Sequence, residues 1–307
     1  ALRPYLNIRW ASNPYGEGLV WVRRRFVEVA PPETTVRFDI HLPDGRTVEQ
    51  TQIFIQAYLS DNPTLARDGL YEAGLRKNKP HIYRALLKGD WYVSVGAFLS
   101  DFWDPEYHVC ETHPVPPNVY RFRSADFGIA GKPGKSGGMS VTWWYVDHDG
   151  MLTAYHHLYG SQLSADRVAE RCKEIELYYG DWDEEENRSM LNLGSPLDAQ
   201  CFKRTGTSGP TISEDFWRKG VGWKKSTKDR VNGIAELVRR LDTFTTWTDG
   251  ADVTRKKPSI RWMKRCDHPI KFLPTLPRNE SDPRDIKDDI EGRDVFDDTM
   301  YACTSRP

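Results

Sequence analysis

Long apolar runs are missing from this 307-residue chain. No stretch approaches the roughly 18 consecutive apolar residues that span a bilayer, so no membrane partner is expected. The opening ALRPYLNIRW lacks the basic, apolar and small-residue order of a secretory signal peptide. It begins on Ala1 rather than Met, as an excised or processed piece would. Cysteine is scarce and odd in number, with Cys110, Cys172, Cys201, Cys266 and Cys303 scattered along the chain. A disulfide framework is therefore excluded, and free thiols in a reducing compartment are expected. His108, Cys110 and His113 lie close together, as do Cys266 and His268, but neither group has the second ligand pair that structural zinc requires. An excess of one charge is absent too: 43 Lys and Arg against 44 Asp and Glu leave a net charge of −1. That argues against a protein coating nucleic acid through bulk positive charge, but not against a local basic surface beside an acidic site. Internal repeats and low-complexity tracts are also missing. A content of 38% hydrophobic and 28% charged residues fits a folded globular chain.

What is present falls into two regions, in keeping with the length. Residues 1–112 contain a strand-like start (Leu6 to Ala11), a turn at Asn13–Gly16, and an apolar segment from Leu19 to Val29. A hairpin turn follows at Pro43 to Arg46, and then a helix-rich stretch over 66–88 with Leu75, Ile82, Leu86 and Leu87 as candidate inward positions. The run His113-Pro114-Val115-Pro116-Pro117 blocks helix and ladder alike and predicts a domain boundary at 112/113. Residues 113–307 then predict strands over Val119–Ile129, Met139–Val146 and Met151–Leu158, the last two joined by the turn Asp147–Gly150. A helix capped by Ser164 follows, with Val168, Cys172, Ile175 and Tyr179 on one face. Next come an acidic solvated turn at Asp181–Asn187 and a short strand ending near Asp198. A helix with Val231, Ile234, Leu237, Val238 and Leu241 on one stripe is expected after that, then a strand at Ile270–Leu273 and a closing helix from about Asp294 to Thr304. Short turns between the first strands rule out a βαβ unit there, so the sheet must be mixed. The fold class is α/β, and the order is that of a ribonuclease H-like mixed sheet flanked by helices.

Gly128 to Ser136 imitates a phosphate-binding Walker A loop, but Ile129 stands where its first glycine belongs, and a strand follows instead of the helix whose N-terminus would cradle phosphate. The acidic residues are more informative. Asp126 interrupts an apolar strand, where an unpaired carboxylate is costly. Asp198 sits at a strand end, and Asp294, Asp297 and Asp298 begin the last helix, where Asp294 also suits an N-cap. In the expected fold these points meet at one edge of the sheet. Converging carboxylates repel unless divalent cations neutralise them, and hard oxygen ligands suit Mg²⁺ or Mn²⁺. Two such ions support phosphodiester hydrolysis.

With these residues quoted, the chain resembles the tailed-bacteriophage terminase large subunits. Ala125-Asp126-Phe127-Gly128, Leu197-Asp198-Ala199 and Asp297-Asp298-Thr299-Met300-Tyr301-Ala302 resemble their nuclease domain, as does the segment from Thr211 through Gly220–Trp223 to Asp229–Gly233. Upstream, Ala11–Gly16 with Phe26 resembles the coupling motif late in the ATPase domain, which implies that role for Ser12 and Asn13. Phe54–Ala57, Asp61–Pro63 and Gly89–Trp91 resemble the segment closing that domain. The resemblance implies an ATPase-domain remnant over 1–112, lacking Walker A and B and so inactive as an ATPase alone, and a nuclease domain over 113–307. It implies Asp126, Asp198 and Asp297 as catalytic metal ligands for two ions, with Asp298 and Asp294 as further candidates. A His often stands three residues before the last catalytic Asp in this family; here the position is Asp294. The implied activity is metal-dependent cutting of concatemeric double-stranded viral DNA. The implied partners are a portal protein and a terminase small subunit, and the implied setting is the host cytoplasm and, transiently, the procapsid portal. Lys132, Lys135, Lys224, Lys225, Lys228, Arg230, Arg255, Lys256 and Lys257 are the candidate DNA-phosphate contacts. A junction resolvase or transposase on the same fold and a non-catalytic portal-docking module are the alternatives.

Overall fold

A computed structural model describes residues 9–14, 19–67, 69–78, 80–91, 97–128, 138–204, 209–227, 229–248 and 254–305. The chain divides into two compact units, Ala1–Val95 and Gly96–Pro307.

In the first unit, β1 (Thr35–His41) and β2 (Thr47–Ile53) pair antiparallel in the expected hairpin. Its turn is made by Asp44, whose carboxylate accepts from the Arg46 amide, and Gly45 at φ 82°. Short helices follow at Pro63–Arg67, Leu70–Arg76 and Pro80–Lys88. Residues 9–11 form no strand, residues 6–8 lie outside the described residues, and the apolar segment from Leu19 is helical to Val27. Among the described residues of this unit Pro14, Tyr83, Ala85 and Trp91 are buried, whereas Leu75, Ile82, Leu86 and Leu87 are only half-buried.

The second unit is built on a seven-stranded mixed sheet. Its strands in chain order are β3 (Val109–Cys110), β4 (Tyr120–Phe127), β5 (Met139–Val146), β6 (Leu152–Gly160), and a separate small hairpin of β7 (Trp182–Asp183) and β8 (Arg188–Ser189). Then come β9 (Pro196–Leu197), β10 (Lys224–Lys225), a second hairpin of β11 (Phe244–Thr248) and β12 (Thr254–Pro258), and β13 (Ile260–Met263). Across the sheet the order is β10-β9-β4-β5-β6-β13-β3. β4, β5 and β6 are antiparallel neighbours, while β9 and β10 extend the sheet parallel to β4, and β13 and β3 extend it parallel to β6. This is the ribonuclease H-like arrangement expected, with two strands added beyond β6.

Alternation along the strands serves two cores. On one face Phe122, Trp144, Leu152, Ala154 and Trp262 pack with Ile234 and Leu237 of the helix Arg230–Asp242 and with Val295 and Phe296 of the C-terminal helix Arg293–Thr304. On the other, Ala125, Val141, Trp143 and Tyr145 pack with Val168, Ala169 and Cys172 of the helix Ala165–Tyr179, which Ser164 caps. β6 keeps both faces supplied through a bulge: Trp143 opposes His156 while Trp144 opposes Ala154, leaving Tyr155 without an opposite residue.

Several expectations need correction. Ile270–Leu273 is not a strand. Residues Asp267–Phe272 form a helix with Pro269 in its first turn, followed by a 3₁₀ turn over Leu273–Thr275. Val231 points outward at 77% exposure, off the apolar stripe of its helix. Asp181 is buried rather than solvated, with an ion pair to Arg121 and a hydrogen bond from Tyr155. Residues 97–112 pack into the second unit, where Phe98, Leu99 and Trp103 join the core, so the Pro-rich run lies inside that unit. Among the described residues no helix is long and apolar enough to cross a membrane.

Candidate functional site

The site forms where β4 ends, and the pleat decides which of its side chains face it. Phe122, Ser124 and Asp126 share one face of β4, toward the C-terminal helix, and Arg123 and Ala125 share the other. β9 runs parallel to β4 with Ala125 opposite Leu197, and the Asp198 amide donates to the Ala125 carbonyl at 3.2 Å. Asp126 and Asp198 are thereby brought to adjacent strand ends. The C-terminal helix packs across β4 and delivers Asp294, Asp297 and Asp298 to the same edge.

The consequence is electrostatic. Burial pushes the Asp126 carboxyl well above the usual carboxylate range, and the nearby Asp297, Asp294, Asp198 and Asp298 carboxylates push it further. No hydrogen bond offsets this: among the described residues, no donor reaches the Asp126 side chain. Asp198 keeps part of its acceptor capacity, since Oδ1 caps the 3₁₀ turn Ala199–Phe202 through the Gln200 amide at 3.1 Å.

The two consecutive aspartates of the C-terminal helix diverge, because neighbours on a helix point about 100° apart. Asp298 is wholly buried against the sheet and accepts from three hydroxyls: Ser124, Ser140 at 2.7 Å and Thr142 at 2.6 Å. Burial raises its carboxyl to about 7 against the opposing pull of those bonds. Asp297 turns the other way. Its Oδ1 receives Nη1 of Arg230 at 2.6 Å, and Nε of Arg293 stands 3.6 Å from its Oδ2. Asp294 is not the helix cap expected from sequence. Gly292, at φ 89°, takes that position, and Asp294 is buried in the first turn, where it accepts from the Gly138 amide at 3.1 Å.

Among the described residues no group of three or more His, Cys, Asp or Glu side chains is arranged to hold a metal ion. The donor chemistry still fits a hard divalent cation, with carboxylate oxygens from three separate elements, one of them the half-buried Asp126, which no described donor reaches. Residues that sequence reasoning missed supply the remaining contacts. Asp285, 55 positions from Arg230, has no local signal. The Ser124, Ser140 and Thr142 hydroxyls were legible only as small polar residues at alternate strand positions.

The candidate basic contacts separate. Lys224 and Lys225 are exposed on β10, the edge strand beside β9. Lys256 is exposed on β12, and Arg255 lies in the same strand. Lys257 is engaged with Asp147 at 2.5 Å and Asp149 at 2.7 Å, and Arg230 is engaged with Asp285 and Asp297. Lys132, Lys135 and Lys228 lie outside the described residues, as does most of the Walker-like loop, and the element after that loop is the strand β5. Ser12 and Asn13 are exposed in the first unit.

No family model and no curated protein matches the chain. Solved structures of phage large terminases are similar to it. The nuclease domain of the P22 large terminase is 13% identical with a TM-score of 0.47, over 69% of this chain and 93% of that one. The large terminase of a thermophilic bacteriophage is 14% identical with a TM-score of 0.47, over 95% of this chain. The present chain spans 59% of that terminase's length. The large terminase nuclease of a second thermophilic phage, G20c, solved with bound cobalt, is 11% identical with a TM-score of 0.27, over 55% of this chain and 87% of that one.

Proposed function

We propose that this chain is the nuclease-bearing part of a tailed-phage terminase large subunit and cuts double-stranded DNA with the help of two divalent cations, Mg²⁺ or Mn²⁺. The observation that carries the reading is the half-buried Asp126 carboxylate, which has no donor among the described residues and lies in the field of four other carboxylates drawn from a neighbouring strand end and a distant helix. A fold tolerates such repulsion where a cation balances it. Asp126, Asp198 and Asp297 are the ligands in this reading. Asp298 anchors the helix that carries Asp297, because its acceptor capacity is used by Ser124, Ser140 and Thr142. Asp294 has a similar holding role through the Gly138 amide. When bound, the cations would activate the attacking water and stabilise the leaving 3′ oxygen. The chain's own part is to hold three carboxylates, from two adjacent strand ends and the C-terminal helix, and to offer phosphate contacts beside them. Lys224 and Lys225 are placed for that task on the strand next to β9.

The order and spacing of the motifs from Ala11 to Ala302 extend the reading to the intact protein. The first unit, Ala1–Val95, would be the end of its ATPase domain, with Ser12 and Asn13 in ATPase coupling. The whole protein would work in the host cytoplasm and at the procapsid portal, with a portal protein and a small subunit as partners. The test is plasmid cleavage by the purified chain. Nicking or linearisation is expected with Mn²⁺ or Mg²⁺ and not with EDTA, and Asp126→Ala is expected to lower the rate at least about a hundredfold. Cleavage that survives Asp126→Ala would rule out this site, and a well-folded chain inert with both metals would favour the non-catalytic docking module instead.

A further inference from the structure

Arg230 has an unusual position for a residue at the start of a helix. Its guanidinium is shared by two aspartates from different parts of the chain. Asp285 takes it bidentately, at 2.5 Å from Nε to Oδ2 and 2.8 Å from Nη2 to Oδ1. Asp297 receives a single bond, from Nη1 to Oδ1 at 2.6 Å. The grip is therefore uneven: two bonds and the Phe296 ring at 5.8 Å hold Arg230 in place, and one bond attaches Asp297 to it. The second arginine near Asp297 does not substitute for the first, because Arg293 pairs with Asp288 at 2.6 Å and stands 3.6 Å from Asp297. Arg230 and a divalent cation would neutralise the same carboxylate.

We propose that Arg230 is a built-in counter-cation that holds Asp297 while the site is metal-free and yields it when metal arrives, so that the Arg230–Asp285 pair sets the metal affinity of the site. The proposal rests on the reading of Asp126, Asp198 and Asp297 as metal ligands. Release requires rotation of the Asp297 side chain alone, since Asp285 keeps Arg230 where it is. Arg230 acts through Asp297 and is thus a positioning residue. Its charge also opposes the metal's, and this gives the two partners opposite effects. Without Arg230, Asp297 and Asp285 are both uncompensated and the site attracts a dication more strongly. Without the charge of Asp285, Arg230 bears wholly on Asp297 and the site attracts it less.

The test is Mn²⁺ binding to the whole 307-residue chain without DNA, read by titration calorimetry or by the spin-resonance signal of free Mn²⁺. Arg230→Gln is expected to tighten Mn²⁺ binding by about tenfold or more, Asp285→Asn to weaken it by about threefold or more, and Arg230→Lys to stay near the wild-type value. Asp126→Asn serves as the reference for the site. If it abolishes binding while Arg230→Gln leaves affinity unchanged or lowers it, the counter-cation role is overturned and the metal site stands. If Mn²⁺ binds equally well to Asp126→Asn, the ligand assignment falls, and the proposal with it. Where Arg230→Gln does not fold, Asp285→Asn decides alone, and unchanged or tighter binding overturns the proposal.

Discussion

Arg123 lies on the face of β4 turned away from the acidic site and is fully buried. It donates to Glu176 at 2.8 Å, Ser189 at 2.7 Å, Asn192 at 3.1 Å and the Gly222 carbonyl at 2.7 Å, and it stacks over Trp223. One side chain thus ties together the long helix, the β7–β8 hairpin and the loop before β10. Arg123→Leu leaves Glu176 buried without its counter-ion and is expected to cost about 3–5 kcal/mol in urea unfolding. The double variant Arg123→Leu/Glu176→Leu is expected to lose less than the single one. A single-variant cost under about 1 kcal/mol would show that the network adds nothing. None of this is legible in the sequence, where Arg123 looks like any polar residue alternating along a half-exposed strand. Asp126 was legible as a polar interruption of an apolar strand, although a strand-end residue reads the same way. The different tasks of Asp297 and Asp298 were not, because they depend on which hydroxyls and which arginine the packed sheet and helix present.

At the scale of elements, the site depends on how closely two helices approach. Gly233, in the helix that begins at Arg230, faces Met300 in the C-terminal helix. A Cβ added there would lie 2.5 Å from the Met300 Cγ and 2.7 Å from its sulfur. Gly233→Ala gains about 1 kcal/mol of helix propensity, yet it must push apart the helices that carry Arg230 and Asp297. The clash is expected to prevail, with a net loss of about 1–3 kcal/mol in denaturant unfolding. A stabilised variant would mean that Met300 simply swings aside. The central elements themselves were readable: β4, β5, β6 and the helix after Ser164 carry strong periodicity and clear turn or cap residues. The failures were short. β10 pairs over two residues, too few for a pattern, and Ile270–Leu273 is an apolar run of the length at which helix and strand cannot be told apart.

For the second unit as a whole, two buried groups of opposite sign outside the acidic site contribute to the acid response, alongside the raised Asp126 and Asp298 carboxyls. His108 donates from Nε2 to the Leu241 carbonyl at 3.0 Å and accepts the Asp104 amide at Nδ1, an arrangement that only a neutral ring satisfies. Burial lowers it to about 4, so its contribution is complete above the ordinary value of 6.5 and is lost as pH falls toward 4. Asp181 runs the other way. Burial, opposed by Arg121 and Tyr155, raises it to about 6, so its contribution is complete below 3.8 and is lost as pH rises toward 6. Between pH 4 and 6 the two offset each other. His108→Gln should remove an acid-side loss on the order of 3 kcal/mol between pH 7 and 4.5, and Asp181→Asn should make the acid-side decline steeper than in the wild type. Unfolding free energies measured across that range check both, and parallel curves for all three proteins would discount these groups. Neither burial was visible in the sequence. His108 read as part of an incomplete zinc motif, and Asp181 as the start of a solvated turn.

The irregular step in β6 also bears on how the chain length can vary. Tyr155 packs into the core beneath the long helix, and His156 stands against Trp143 and Tyr179 on the same side, so two successive residues share one face. A single-residue loss elsewhere in β6 would invert the parity of one arm of the strand, exchanging the side chains meant for one core with those meant for the other. Loss of either Tyr155 or His156 would leave both arms in phase and convert the strand to a regular one. Homologues shorter by one residue in this strand would accordingly be expected to have dropped it at this pair.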